Sequence, residues 1–354
     1  MADAEILLER LGLDVSEVSH VDASAAHLDF AGEGLTISLP KTHILRVIRR
    51  DEFDAWLANK ATGRGIEIRQ GVTVKNVRPL HDCVKVETEA ETFNAQIVVG
   101  ADGSNGITRR CVLPNVPVHT ARLLEVLTPI NNVIVSSQNI QEGEQSPLKR
   151  EEHSSHAIVH ADMDAYFDFF PVPSGIAGYI WDFPTQIEGQ PMRCWGIYDT
   201  NILADRPRPQ LKDPLAQEMV RHGYDLDRYE LKGYPIRWFS PFNQFSVPRV
   251  ILVGDAAGAD GIFGEGISMA LGYGRVAAQA IQDAFHRNDF SFASYRRRIL
   301  LSPLGQALTV RTAVTQGLYH LHWEWFQRFF WRILKPIVAA AAFVFVLNWA
   351  KRMR

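Results

Sequence analysis

Residues 250 to 267, VILVGDAAGADGIFGEGI, join an apolar run, a Gly-Asp turn and two further glycines around Glu265, ahead of a helical stretch. Each residue type has a mechanical use. Val250 to Val253 can form a strand buried on both faces, and Gly254 lets the chain turn sharply at its carboxyl end. Asp255 is then left at the mouth of the sheet. Ala256, Ala257 and Gly258 are small enough for backbone to approach a ligand, while Gly264 and Gly266 open a helix, ending in Ile267 of the motif, whose amino end favours negative charge. A second strand-to-turn junction, QIVVGADGSNGITRR at 96 to 110, puts Asp102 and Gly103 at another carboxyl edge. Either aspartate could merely form its turn through side-chain to backbone hydrogen bonds. That reading does not account for two junctions and GEGI together. GYGRVA, with Gly272, Gly274 and Ala277, also fits a Gly-x-Gly-x-x-Ala pattern, but no strand leads into it, so it reads as close helix packing.

Composition narrows the partners. The chain has 354 residues, 46% hydrophobic and 22% charged, enough for a sizeable core and two domains. Its net charge of -3 provides no basic field for nucleic acid. Cys83, Cys111 and Cys194 lie far apart without a Cys-x-x-Cys, which fits a reducing compartment and supplies neither a disulfide framework nor a zinc site. His153, His156 and His160 have helical spacing but sit in a polar stretch, and we read them as solvated surface; no metal is expected. The amino terminus MADAEILLERLGLD is an amphipathic acidic helix rather than a signal peptide, so a cytoplasmic location is expected. At the other end, the apolar stretch from Pro336 to Leu347 is cut short by Lys335 and Asn348, below the roughly 20 residues a bilayer span needs. A surface-lying helix over 331–354, anchored by Trp331, Trp349 and the terminal cations, makes peripheral contact with a membrane the expectation. The alternative is a helix packed on the protein's own surface.

The elements that would position these residues follow from periodicity. Short strands at Ala26 to Phe30, Leu35 to Leu39 and Ile44 to Ile48 read as one meander, followed by a helix from Asp51 with Phe53, Trp56 and Leu57 at helical spacing. Strands follow at Ile66 to Arg69, Val72 to Val77, Val84 to Thr88, Thr92 to Ala95 and Gln96 to Gly100. From Leu123 to Phe245 longer alternating segments, HAIVHADM, AYFDFFPVP, IAGYIWDFP and RCWGIYDT, predict a mainly antiparallel sheet, interrupted by a helix near Pro214 to His222. The fold class is α/β (α+β). An incomplete Rossmann-like nucleotide-binding domain is expected over 1–112 and 246–301, a β-sheet substrate domain over 113–245, and a helical tail over 302–354.

Four blocks in order, RRDEFDAWL at 49 to 57, VVGADGSNGITRR at 98 to 110, GYIWDFP at 178 to 184 and VGDAAG with GEGI at 253 to 267, resemble the FAD-dependent oxidoreductases of the aromatic-hydroxylase type, and within them the geranylgeranyl reductase branch. The resemblance implies that Asp255 binds the ribitol or ribose-side hydroxyls of FAD, with the backbone of Gly254, Ala256, Gly264, Gly266 and Ile267 facing the pyrophosphate and flavin. It implies that Asp102 and Gly103 touch the cofactor region, and that Arg49 or, by preference, Arg50 contacts FAD. Tyr179, Trp181, Phe183 and Pro184, as YxWxFP, resemble the motif that lines the cavity of prenyl reductases. An aromatic core strand is the alternative reading. Two departures stand out. Gly261 replaces a loop proline, which suggests a more mobile loop, and the family's opening strand, Gly-x-Gly-x-x-Gly turn and helix have no counterpart among these 354 residues. An unpaired strand edge and a weaker phosphate site follow from that expectation.

The implied activity is reduction of prenyl double bonds in an apolar isoprenoid lipid or pigment precursor, with NAD(P)H or another donor reducing FAD. A flavin-dependent monooxygenase is one alternative. A non-catalytic remnant that does not hold FAD is another. No catalytic residue is assigned from sequence.

Overall fold

The computed structural model describes residues 2–39, 42–114, 120–130, 163–203, 208–336 and 348–353. His153, His156, His160 and most of the apolar 336–347 stretch lie outside them.

The chain opens with helix α1 (Ala2–Arg10), strands β1 (His20–Ala23), β2 (Ala25–Phe30), β3 (Glu33–Ser38) and β4 (Leu45–Ile48), and helix α2 (Arg50–Thr62). The expected meander is split. β1 pairs with β4 as a two-stranded ribbon, while β2 and β3 leave it for a larger sheet. The reason is burial: Leu28 of β2 stands opposite Phe167, and Phe30 is buried among aromatic residues. Next come the hairpin strands β5 (Val74–Pro79), β6 (Val84–Thr88) and β7 (Thr92–Ala95), then β8 (Val98–Gly100) and α3 (Ile107–Val112). Residues 66–69 form no strand. Ile66 and Ile68 are exposed and have no sheet to bury them.

The central elements are β9 (Ala121–Pro129), β10 (Ala165–Asp168), β11 (Gly178–Ile187), β12 (Gln190–Asp199), α4 (Lys212–Arg221) and β13 (Lys232–Ile236). They build a seven-stranded sheet in the order β13-β9-β12-β11-β10-β2-β3, antiparallel except for the parallel β10–β2 pair. Two of its strands therefore come from the first forty residues, and the expected boundary at 112 does not separate the sheets. Alternation gives this sheet two faces. Val126, Trp195, Ile197 and Ile180 pack under α4 on one, and Tyr179, Trp181, Tyr198 and Phe167 form an aromatic layer on the other.

The chain then returns through β14 (Ser246–Val247) and β15 (Val250–Leu252) to α5 (Gly254–Ala257), the long α6 (Ile267–Arg287), α7 (Tyr295–Leu301), α8 (Pro303–His320) and α9 (Glu324–Ile333). β15 lies between β14 and β8, parallel to β8, so the two strand-to-turn junctions stand side by side. Among the described residues β8 has a partner on one edge alone, and its Val99 is exposed.

The tail is not a separate appendage. Trp331 and Trp349, expected as membrane anchors, are both buried in protein. Trp331 stacks on Phe169 at 4.6 Å between ring centroids. Trp349 lies against Gly272, where a Cβ would come within 2.6 Å of the indole; this is the close packing read from GYGRVA. The Asp3 carboxylate accepts hydrogen bonds from the backbone N–H groups of Asn348 (3.1 Å) and Ala350 (2.8 Å), tying the two ends of the described chain together. Replacing Trp349 by Ala removes a wholly buried indole and is expected to cost about 3–5 kcal/mol, read as a lower midpoint in urea unfolding. A loss below about 1 kcal/mol would mark residues 348–353 as peripheral.

Candidate functional site

The two junctions build the floor of a cleft. Val253 donates its N–H to the carbonyl of Gly100 (2.9 Å), carrying the β15–β8 pairing one step beyond the strands. The chain then turns at Gly254 in a left-handed conformation (φ 55°), and Gly103 turns likewise beside it (φ 76°). Both glycines line a cleft of about 800 Å³ with Asp255, Gly266, Ile267 and Gly274, and the opposite wall carries Leu7, Arg50 and Phe53. That volume lies within the roughly 300–1,000 Å³ of small-molecule and cofactor sites.

Asp255 accepts no hydrogen bond from the described residues. Burial pushes its carboxyl above the usual range, the Arg50 guanidinium opposes that, and Glu265 adds to it. A half-buried acceptor facing a cleft without a partner calls for a donor from a ligand. Arg50 is the first residue of α2, pairs with Asp54 (3.1 Å) and stands on the cleft wall. Arg49, the rejected alternative, caps the helix and is turned to Asp51.

Two residues expected at the cofactor have other work. The Asp102 carboxylate accepts hydrogen bonds from the N–H (2.8 Å) and the hydroxyl of Thr108, capping α3, and it does not line the cleft. Ala256 is wholly buried behind the turn, where its carbonyl accepts a hydrogen bond from the buried guanidinium of Arg109. Burial and the nearby Arg237 hold that arginine's pKa down at about 10.

A second cavity of about 320 Å³ adjoins the cleft. Its sheet-side wall is Phe167, Tyr179 and Phe183, and its loop-side wall is Phe263, Gly264 and Glu265. Arg50, Phe53, Gly266 and Ile267 line both spaces, so the two meet at the amino end of α6. Of the YxWxFP residues, Tyr179 and Phe183 reach this cavity. Trp181 packs behind them, its indole lying over Gly196, where a Cβ would be within 2.0 Å. Pro184 alternates to the other side of β11 and is buried away from the cavity.

The loop between the cleft and cavity is anchored from both sides. Tyr198 donates its hydroxyl to the carbonyl of Gly261 (3.1 Å) and Tyr179 to that of Phe263 (2.7 Å). Asp260 accepts from the N–H of Ile262 (2.9 Å) and pairs with Arg311 of α8 (2.8 Å), both side chains being fully buried. The missing proline is thus replaced by contacts from the sheet and from α8. At the helix start Glu265 accepts hydrogen bonds from the N–H (2.7 Å) and hydroxyl of Ser268, so one of the first N–H groups of α6 is already satisfied.

Sequence reading missed Phe53, Phe167, Phe263, Glu125 and Arg311 as residues of the site. Two left a signal: Arg311 is a lone cation inside the apolar PLGQALTVRTAVTQGLYH, and Glu125 a lone acid inside ARLLEVLTP.

No family model matches the chain. An uncharacterized protein of Methanosarcina barkeri is 29% identical over 257 residues, covering 72% of this chain and 57% of its own length. Digeranylgeranylglycerophospholipid reductase 3 of Methanosphaera stadtmanae is 26% identical over 298 residues, 80% of this chain and 66% of its own. The geranylgeranyl bacteriochlorophyll reductase-like protein of Thermoplasma acidophilum has the same fold, with a TM-score of 0.62 at 20% identity over 98% of this chain and 85% of that one. The chain is thus similar in sequence to digeranylgeranylglycerophospholipid reductases and shares the fold of a geranylgeranyl reductase-like protein. It spans less than two thirds of the length of these two curated relatives. A halogenase and a flavin-dependent brominase share this fold as closely, with TM-scores of 0.62 and 0.63, so the fold alone does not select a reaction.

The residues present fit one side of FAD. An unpartnered carboxylate, two cleft-lining glycine turns and a helix amino end suit ribityl hydroxyls and the adjoining ring. Asp255→Asn is expected to weaken FAD binding roughly 10- to 100-fold, the value of a hydrogen bond to a charged acceptor. Hydroxyl donors favour the ionised carboxylate, so wild-type affinity should rise with pH through the raised pKa of Asp255, and the Asn variant should lose that rise. Fluorescence titration with FAD measures both; a wild-type chain that takes up no FAD would refute the assignment.

Proposed function

We propose that this chain forms the catalytic part of a reductase of carbon–carbon double bonds in an apolar, isoprenoid-type substrate. The observation that carries this reading is the meeting of a glycine-rich cleft with an aromatic cavity at Gly266 and Ile267. Bound FAD would supply two-electron hydride chemistry, fed by NAD(P)H or another donor. The protein's own part is to hold an apolar chain against the ring and keep water out. Phe167, Tyr179, Phe183 and Phe263 provide that wall, and the names of relatives that act on geranylgeranyl lipids support an isoprenoid rather than an aromatic substrate. Anaerobic turnover of a geranylgeranyl lipid should add two hydrogens per double bond, and Phe183→Ala should raise KM about tenfold or more. Turnover that requires oxygen would instead make the protein a monooxygenase.

The lipid character of such a substrate extends to α9. No helix among the described residues is long and apolar enough to cross a membrane. The outer side of α9 and its entry nevertheless present Trp323, Trp325, Phe329 and Ile333, between 45% and 67% exposed, interleaved with Arg328 and Arg332. Aromatic rings with arginines suit the headgroup region of an anionic bilayer. The inner side of the same helix, through Trp331, packs into the aromatic layer that includes Tyr179. We therefore place the membrane contact on Trp325 and Phe329 rather than on Trp331 and Trp349. Trp325→Ser with Phe329→Ser should lower partition into phosphatidylserine-containing vesicles about tenfold or more. An unchanged bound fraction would remove the membrane from the function.

A further inference from the structure

The aromatic face of the large sheet carries a carboxyl on β9, one strand in from its edge: Glu125. Register places Lys232, Glu125, Gly196, Trp181, Phe167, Leu28 and Leu35 in a single row across six neighbouring strand pairs, all on the cavity side. Glu125 lines the cavity together with Phe167, Tyr179 and Phe183. Gly196, its neighbour in the row, has no side chain to cover it, and the Trp181 indole fills that space from the next strand. Burying a carboxyl in such a wall is costly unless it is paired, protonated or used.

Other ionisable groups of the cavity are engaged elsewhere. Glu5 pairs with His43 (2.9 Å) and Arg46 (3.5 Å), Arg46 with Asp22 (2.7 Å), Arg50 with Asp54, and Glu265 caps Ser268. Glu125 has no ion pair among the described residues; the Cys194 thiol lies near it, and Lys232 stands opposite it on the edge strand. Trp181 also lies close to Cys194, so the indole and the carboxyl flank the same thiol. Burial pushes the Glu125 carboxyl above its ordinary range against the opposing pull of Cys194 and Lys232, and burial keeps the Cys194 thiol protonated.

We propose that Glu125 is the proton donor of the reduction, a catalytic residue facing the substrate alkene from the sheet side of the cavity. This rests on the reductase reading above. One carbon of the double bond takes the proton of the Glu125 carboxyl, and the other takes hydride from a reduced flavin, so the π electron pair becomes the new C–H bond on the protonated carbon. The alkene is reduced by two electrons, the dihydroflavin is oxidised by two, and Glu125 is left as a carboxylate that solvent reprotonates. The less substituted carbon takes the proton, and positive charge developing on the tertiary carbon faces the rings of Phe167, Tyr179 and Phe183. The acid lines the same cavity as Gly266 and Ile267, where the cavity meets the cofactor cleft.

Two measurements test this, one of them without cofactor. Infrared difference spectra of the full chain, E125Q against wild type, should reveal a protonated carboxyl band at neutral pH that is absent in E125Q. A band that disappears by about pH 5, as for an ordinary glutamate near pKa 4.3, would overturn the proposal. In the chain loaded with FAD, E125Q should bind flavin within twofold of wild type yet reduce a geranylgeranyl lipid about 100-fold more slowly or worse, the range of general-acid catalysis. E125D should restore part of the rate, and wild-type product formed in D2O should carry one solvent deuterium per double bond. E125Q turnover within threefold of wild type overturns the role of Glu125 while leaving the reductase reading intact. Flavin-loaded wild type that reduces no prenyl double bond overturns the reading itself, and the donor role with it.

Discussion

Arg311 and Asp260, both without solvent exposure and 2.8 Å apart, form the interaction on which the rest of the site depends. A charge pair in that position contributes little net stability, because desolvation offsets its attraction, but removing either partner strands the other in the interior. Its consequence is geometric. Asp260 also accepts the N–H of Ile262 and lies at the start of the loop leading to Gly264 and Gly266. Arg311 comes from α8, so a helix of the tail fixes the loop that separates the cleft from the cavity. Tyr198 and Tyr179 secure the same loop from the sheet. Three parts of the chain, expected as two domains and an appendage, are thereby joined at one loop.

This joint explains why the cleft and the cavity remain distinct yet contiguous. The cleft is floored by the turns at Gly103 and Gly254 and by the amino end of α6 at Gly266, where backbone is open to a polar ligand, with Asp255 among them. The cavity is made of strand side chains, where alternation on β11 sends Tyr179 and Phe183 to one face and Pro184 to the other. Both spaces need the amino end of α6 at the same point.

Much of the fold was legible because its signals are local. The α2 and α6 helices, the hairpin strands from Val84 to Ala95 and the two strand-to-turn junctions follow from periodicity and glycine placement within windows of ten residues. The division into domains was not, because β2, still paired with β3, also pairs in parallel with β10, some 140 residues later, and no local pattern records such a partner. Trp331 and Trp349 were misplaced for a related reason. An aromatic residue near cations has the same sequence appearance at a membrane interface as over a glycine of another helix, and Gly272 decides between them from 77 positions away. Glu125 and Arg311 were visible as lone charges in apolar segments, yet what surrounds each is supplied by strands and loops distant in sequence.

The two aspartates sharpen the distinction between a motif and a site. Asp102 and Asp255 both follow a short strand beside a glycine with positive φ, and in sequence they look interchangeable. What separates them is the chain that follows. After Asp102 the backbone circles back through Gly106, where a Cβ would fall within 2.1 Å of the carboxylate, and brings the N–H and hydroxyl of Thr108 onto it. After Asp255 the helix α5 ends within a turn at Gly258, whose φ of 128° sends the chain away toward Phe239 instead of back to the carboxylate. Asp102 is therefore satisfied by its own turn and stabilises a fold. Asp255 keeps free acceptors directed at a cleft, and the difference between structural and binding aspartate is set by whether the next few residues can return a donor.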